Sequence, residues 1–296
     1  MKAKVYFMRE ITPENVVRLY HALGVSLPGR VAVKVHTGEK GNQNFLRPEF
    51  WRPMVEEVHG TVVECNTAYG DAAGGVRDHT ESHRKLLEEH GWTKYFDVDL
   101  MDAEGPDAVF PIPNGKILKE NRVGRHLLNY DSMLVLAHFK GHPMGGYGGA
   151  LKQLAIGCAS RAGKALIHSA GKTDDRFKTW QQHASSVVFP EAMADAASSI
   201  VAHFQGKIAY INVMKNLSVD CDCCEVAEDP CMQDIGMLAS LDPVAIDQAC
   251  MDLILHSDDP GRDHFMERVN SRNGIHTIEA AADLGFGTRD YERIYL

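Results

Sequence analysis

The sequence predicts an α/β fold whose sheet, mainly parallel or mixed, is flanked by helices. Three observations predict it. Strand-like and helix-like segments alternate through residues 1–100, the strand-like segments are short apolar runs, and no linker or low-complexity stretch interrupts the 296 residues. The chain is expected to fold as one domain over 1–296, with 1–130 and 131–296 as candidate lobes.

Lys4 to Met8 reads as the first strand. Thr12-Pro13 pairs an N-cap with a first-turn proline and opens a helix through Leu23. Val31, Val33 and Val35 alternate with Ala32, Lys34 and His36, the period of a strand. It runs into the polar loop 37–44, a helix at 48–58, a strand at 61–64, a loop at 65–75 and a polar helix at 81–90. His21, His59 and His90 fall in helical patterns and are expected to face solvent. Further on, 133–138 and 208–213 read as strands. Helices are expected at 150–158, 190–203, 241–256 and 277–282, the third opened by Asp242-Pro243.

Composition narrows the function classes. Hydrophobic residues are 44% and charged residues 24%, as in an ordinary globular protein. Forty acidic against 31 basic residues give a charge of −9, which argues against nucleic acid as partner. Arg9 and Glu10 interrupt the amino-terminal apolar run, and no stretch reaches the roughly 18 apolar residues of a membrane span. A cytoplasmic location without a membrane partner is the expectation, with the seven cysteines as free thiols or metal ligands.

Three stretches carry candidate chemistry. In DCDCC (220–224), extended backbone would put Cys221 and Cys223 on one face, able to grip one soft metal. Asp220 and Asp222 would add charge favouring a cation, and Cys224 would point away. The same cluster also reads as free thiols in a loop. In HFKGHPMGGYGG, His138, Lys140 and His142 would share a strand face and suit an anionic ligand or a metal with an anion bound. Gly145 and Gly146 would let the backbone approach that ligand. The other reading is a solvent-facing strand edge. GCASRAGK departs from a phosphate loop, because five residues separate Gly157 from Gly163 and Ala165 replaces the hydroxyl residue. There Cys158, beside Arg161 and Lys164, reads either as a thiolate ligand or as part of a buried turn. Lys152, Arg161 and Lys164 are candidate ligand-binding cations, and His36, with Glu39 nearby, is a candidate catalytic residue where a strand becomes a loop.

Taken together, VKVHTGEKGNQNFLRP (33–48), residues 138–164, YINVMKNLSVDCDCC (210–224), 234–254 and 272–287 resemble the uncharacterised iron–sulfur-centre family, domain of unknown function 362. The resemblance implies an α/β fold and, in many members, cysteine-bound iron–sulfur clusters. Many relatives carry a ferredoxin-like insert after the AGK segment; here residues 165–220 contain no cysteine, so an internal ferredoxin is excluded. A weaker, fold-level similarity is to the nickel-pincer lactate racemase group.

The reading favoured on these grounds is a redox-linked protein that binds an iron–sulfur cluster or a thiophilic metal ion and acts on a small anionic ligand, with a separate redox protein as candidate partner. Cys221, Cys223 and Cys158 are the expected metal ligands, and His36, Lys140 and His142 the expected catalytic residues. The alternatives are a metal-free enzyme with a cysteine nucleophile and a non-catalytic metal carrier. The loops 37–44, 141–149 and 216–230 are expected to meet at one cleft.

Overall fold

A computed structural model describes residues 2–70 and 75–296. Residues 71–74 of the loop expected at 65–75, and Met1, lie outside the described residues. The elements run β1 (Ala3–Met8), α1 (Pro13–Ala22), β2 (Val31–Lys34), α2 (Pro48–Glu57), β3 (Thr61–Glu64), α3 (Thr80–Glu89), β4 (Asp99–Leu100), β5 (Ala108–Pro111), β6 (Glu120–Val123) and β7 (Ser132–His138). There follow β8 (Lys140–His142), β9 (Gly146–Gly148), α4 (Ala150–Lys152), α5 (Arg161–His168), α6 (Arg176–Thr179) and α7 (Val188–Phe204). The chain ends with β10 (Ile208–Met214), β11 (Gly236–Ser240), α8 (Pro243–Leu255), α9 (Arg262–Ser271), α10 (Ile275–Asp283) and β12 (Tyr291–Tyr295).

The expected fold class holds. Eight strands form one mixed sheet in the order β12-β1-β11-β10-β7-β2-β3-β4. β11 is antiparallel to β1 and β10, and the other pairings are parallel. Strands from 1–130 and from 131–296 interleave in this sheet.

Both faces of the sheet are covered, which is why its central strands are apolar throughout rather than alternating with polar residues. On β7, Leu134 and Leu136 join Val33, Ile211, Trp51, Met54 and Leu87 under α1, α2 and α3. Met133, Val135 and Ala137 face the other way, toward Phe189, Ile200, Val244 and Ile278 of α7, α8 and α10. The predicted caps form: Thr12 Oγ1 accepts from the Asn15 amide at 3.2 Å, and Asp242 Oδ1 accepts from Val244 and Ala245, each at 2.9 Å.

Two expectations are corrected. The row from His138 to His142 is not one strand: β7 ends at His138, and β8 pairs with β9 in a separate two-stranded sheet. The helix expected at 150–158 is α4 followed by a π-helical turn over Gln153–Gly157.

The parallel strands β2, β3, β7 and β10 end on the same side of the sheet, and the chain beyond each end supplies the cleft described next.

Candidate metal centre

The loops at 37–44, 141–149 and 216–230 do meet. The Glu39 amide donates to the Asp222 carbonyl at 2.8 Å, and the Gly141 amide donates to Ser218 at 2.8 Å. Gly141 is needed for that approach: a Cβ there would sit 2.2 Å from the Val219 carbonyl oxygen. Gly141→Ala is therefore expected to cost about 1–3 kcal/mol and to loosen the cysteine loop. Denaturant midpoints and the rate of Cys221 labelling by a thiol reagent check this. A change below about 0.5 kcal/mol with unaltered labelling would show that the loop does not depend on this contact.

Cys221–Cys224 is a turn, closed by the Cys224 amide donating to the Cys221 carbonyl at 2.9 Å. The extended-backbone argument therefore fails for this segment, and Cys223 brings the Cys224 thiol below its usual range. The turn is clamped from outside. Asn42 Nδ2 donates to the carbonyls of Cys221 (3.3 Å) and Cys224 (2.9 Å). Tyr69 donates to the Cys223 carbonyl at 2.7 Å, and Arg77, paired with Glu39 at 3.0 Å, reaches the Tyr69 oxygen at 3.2 Å.

His36, Cys221 and Cys223 form the group: one ligand atom from each lies within 4.8 Å of the others. Such a set of two sulfurs and one imidazole can hold a metal ion. Burial, reinforced by Arg77, Lys140 and Lys152, holds His36 well below the usual histidine range, so the ring is neutral, as a ligand must be. The Gly38 amide donates to its Nδ1 at 3.1 Å, which orients the ring and places the proton of the neutral ring on Nε2; ligation through Nε2 requires that proton to move to Nδ1 and the Gly38 bond to break. Burial pushes the Cys221 thiol up, and Cys223 pushes it further. Lys152 Nζ lies 3.3 Å from the Cys221 sulfur; burial lowers Lys152, but Cys221 and Cys223 outweigh it and keep the ammonium charged.

Cys158, the expected third ligand, is elsewhere. It is buried with its thiol toward the Gln153 carbonyl at 3.5 Å. Burial pushes it up to about 12 despite Lys34 and Lys164, so the expected activated thiolate is corrected to an inert thiol. Cys231 turns to the Leu217 carbonyl at 3.3 Å. His142 is near Cys223, with Nε2 3.9 Å from its sulfur. Its Nδ1 lone pair accepts from the Met144 and Gly145 amides at 3.2 and 2.8 Å. Burial, with Lys152 and His168, keeps the ring neutral, so Nε2 carries the proton and points it at the sulfur.

His138 and Asp222 have a different role from the one expected. His138 Nδ1 meets both Asp222 oxygens at 2.9 and 3.0 Å, and Nε2 donates to the Lys215 carbonyl at 2.6 Å. Lys140 Nζ adds a third contact to Asp222 at 3.0 Å. The Asp222 charge is thus spent inside the protein, as is that of Asp220 on Arg268 at 2.8 Å. Gly145 and Gly146 do not face the cleft, which Gly148 and Gly149 line instead; Gly146, with φ +78°, packs on Gly274. Arg161 starts α5 with its amide on Asp102 at 3.1 Å, off the cleft, whereas Lys152 and Lys164 line it. His90, expected in solvent, stacks on Phe45 at 4.5 Å and meets the Thr37 carbonyl at 3.0 Å. The supports Asn42, Tyr69 and Arg77 have no motif of their own in the sequence; only their proximity to the cysteine turn reveals them.

The cleft above the group has a volume of about 1010 Å³. All seven cysteines are free, and no described helix is long and apolar enough to cross a membrane.

The family described as "Domain of unknown function (DUF362)" matches residues 31–252. The chain belongs to the DUF362 family. No curated protein matches the sequence. Among solved structures, the lactate racemase apoprotein from Thermoanaerobacterium thermosaccharolyticum is similar, with TM-score 0.42 and 11% identity over 70% of this chain and 50% of that one. A Thermotoga maritima protein is similar with TM-score 0.38 and 13% identity over 92% of this chain and 58% of that one. This DUF362 chain thus spans only half to three fifths of the length of either structure.

Proposed function

We propose that this DUF362 protein is a metalloprotein that holds one thiophilic metal ion at His36, Cys221 and Cys223 and offers it to an anionic small molecule in the cleft. The observation that carries this reading is the convergence of a neutral imidazole and two thiols from loops far apart in sequence. Three protein ligands leave one position open, the arrangement of catalytic rather than structural sites. A cluster held by four cysteines fits this donor set less well, since Cys158 and Cys231 are turned elsewhere. When bound, the ion supplies a Lewis acid or, for iron or copper, a redox centre served by a separate redox protein. Lys152 places positive charge at the cleft wall, and the His142 Nε2 proton faces Cys223.

Metal content and visible absorption of the protein purified without oxygen test this. The wild type is expected to carry close to one ion per chain, and the Cys221→Ser, Cys223→Ser double variant to lose at least ten-fold of it. Equal metal in both overturns the ligand assignment. A cluster spectrum, with iron and sulfide in equal amounts, overturns the mononuclear form. A metal-free wild type favours the second reading, a cysteine nucleophile, for which the Lys152 ammonium beside Cys221 is the specific support.

A further inference from the structure

We infer that the cleft is built for a planar aromatic anion, a carboxylate or phosphate joined to a flat apolar body, with the charge at Lys152 and Lys164 and the ring against His168, Trp180 and Phe177. This rests on the reading that the cleft takes an anion, and goes beyond it by naming the ligand's class.

The basic residues lining the cleft are not equivalent. Lys140 is neutralised by Asp222 at 3.0 Å, Arg77 by Glu39 at 3.0 Å, and Arg176 by Asp78. Lys152 and Lys164 meet no carboxylate among the described residues: one faces the Cys221 sulfur at 3.3 Å and the other the Ala159 carbonyl at 2.6 Å. Burying an ammonium whose nearest partner is a carbonyl, as at Lys164, is costly, and an incoming anion removes that cost. Burial pulls Lys164 down, the direction an anion reverses.

The same cleft has an apolar flank. The His168 ring lies over Phe189 at 4.8 Å and an interplanar angle of 15°, and 5.5 Å from Trp180. Burial, then Lys152 and Lys164, hold it neutral, down to about 3, so it adds no charge to that wall. Phe177 is 74% exposed and Trp180 39%, and both line the cleft. Large aromatics left open beside a pocket mark where a ligand's apolar surface goes. An ion the size of acetate would leave most of the 1010 Å³ unfilled.

Titration calorimetry with 2-naphthoate, the neutral analogue 2-naphthylmethanol and acetate tests the inference. Naphthoate is expected to bind one site at least ten-fold more tightly than either control. Lys152→Gln and Lys164→Gln should each weaken it ten-fold or more, and Trp180→Ala about five-fold, in variants with wild-type circular dichroism. Equal binding of naphthylmethanol removes the anion subsite, and equal binding of acetate removes the aromatic wall. Unchanged affinity in both folded lysine variants overturns the assignment outright. Metal content is scored separately. A metal-free wild type that binds naphthoate overturns the metal reading alone, and a metal-loaded wild type that ignores naphthoate overturns this inference alone.

Discussion

Asp222→Ala is expected to lower folding stability by about 3–5 kcal/mol. Asp222 is 1% exposed and is shared by His138 and Lys140, both also buried. Burial alone would push its carboxyl up, but those two residues more than reverse this and hold it well below the usual carboxylate range. Removing the carboxylate leaves two buried cationic or polar groups without their acceptor, which costs more than the ion pair itself contributes. The damage spreads to the site, because Asp222 sits between Cys221 and Cys223. Urea midpoints measure it. A loss below about 1 kcal/mol would mean that His138 and Lys140 find other partners.

The second large effect is pH-dependent. Glu64 accepts from Lys34 at 2.8 Å and lies 3.9 Å from Arg77. Burial raises its carboxyl, but Lys34 and Arg77 outweigh burial and bring it from 4.5 down to about 2. A carboxyl depressed in the folded state contributes stability above its unfolded value, and that contribution is lost as pH falls from 4.5 toward 2. Its size is about 3 kcal/mol. Glu64→Gln should therefore be destabilised by roughly that amount at pH 7, with the gap to wild type narrowing as the pH approaches 3. Urea unfolding at the two pH values checks the sign. A gap that is constant, or that widens in acid, would contradict the pairing.

The sheet was legible because its signals are local. Val31, Val33 and Val35 betray a strand, and Thr12-Pro13 and Asp242-Pro243 each mark a helix start where one is found. β11 was not, because Gly236–Ser240 is short, contains small residues and takes its strand form from pairing with β1 and β10. At the site, Cys221 and Cys223 stood out as a motif, and His36 as a residue at a strand's carboxyl end. That His36 rather than Cys158 joins them is a tertiary fact. Cys158 follows a π-helical turn that no residue pattern announces, and its thiol is turned to the Gln153 carbonyl. The row His138, Lys140, His142 misled for a related reason: a buried carboxylate from a distant loop claims the first two, and only the third keeps a proton directed at the sulfur.

The clamp on the cysteine turn has a consequence for biosynthesis. Asn42 and Cys221 are 179 positions apart. A ribosome must therefore deliver most of the polypeptide before the imidazole and the thiols can be brought together. Closing so long a loop is slow, and the two segments flank β7 and β10, which pair with each other. The ligand set proposed above is therefore incomplete on the nascent chain and complete only in chains whose sheet is already assembled.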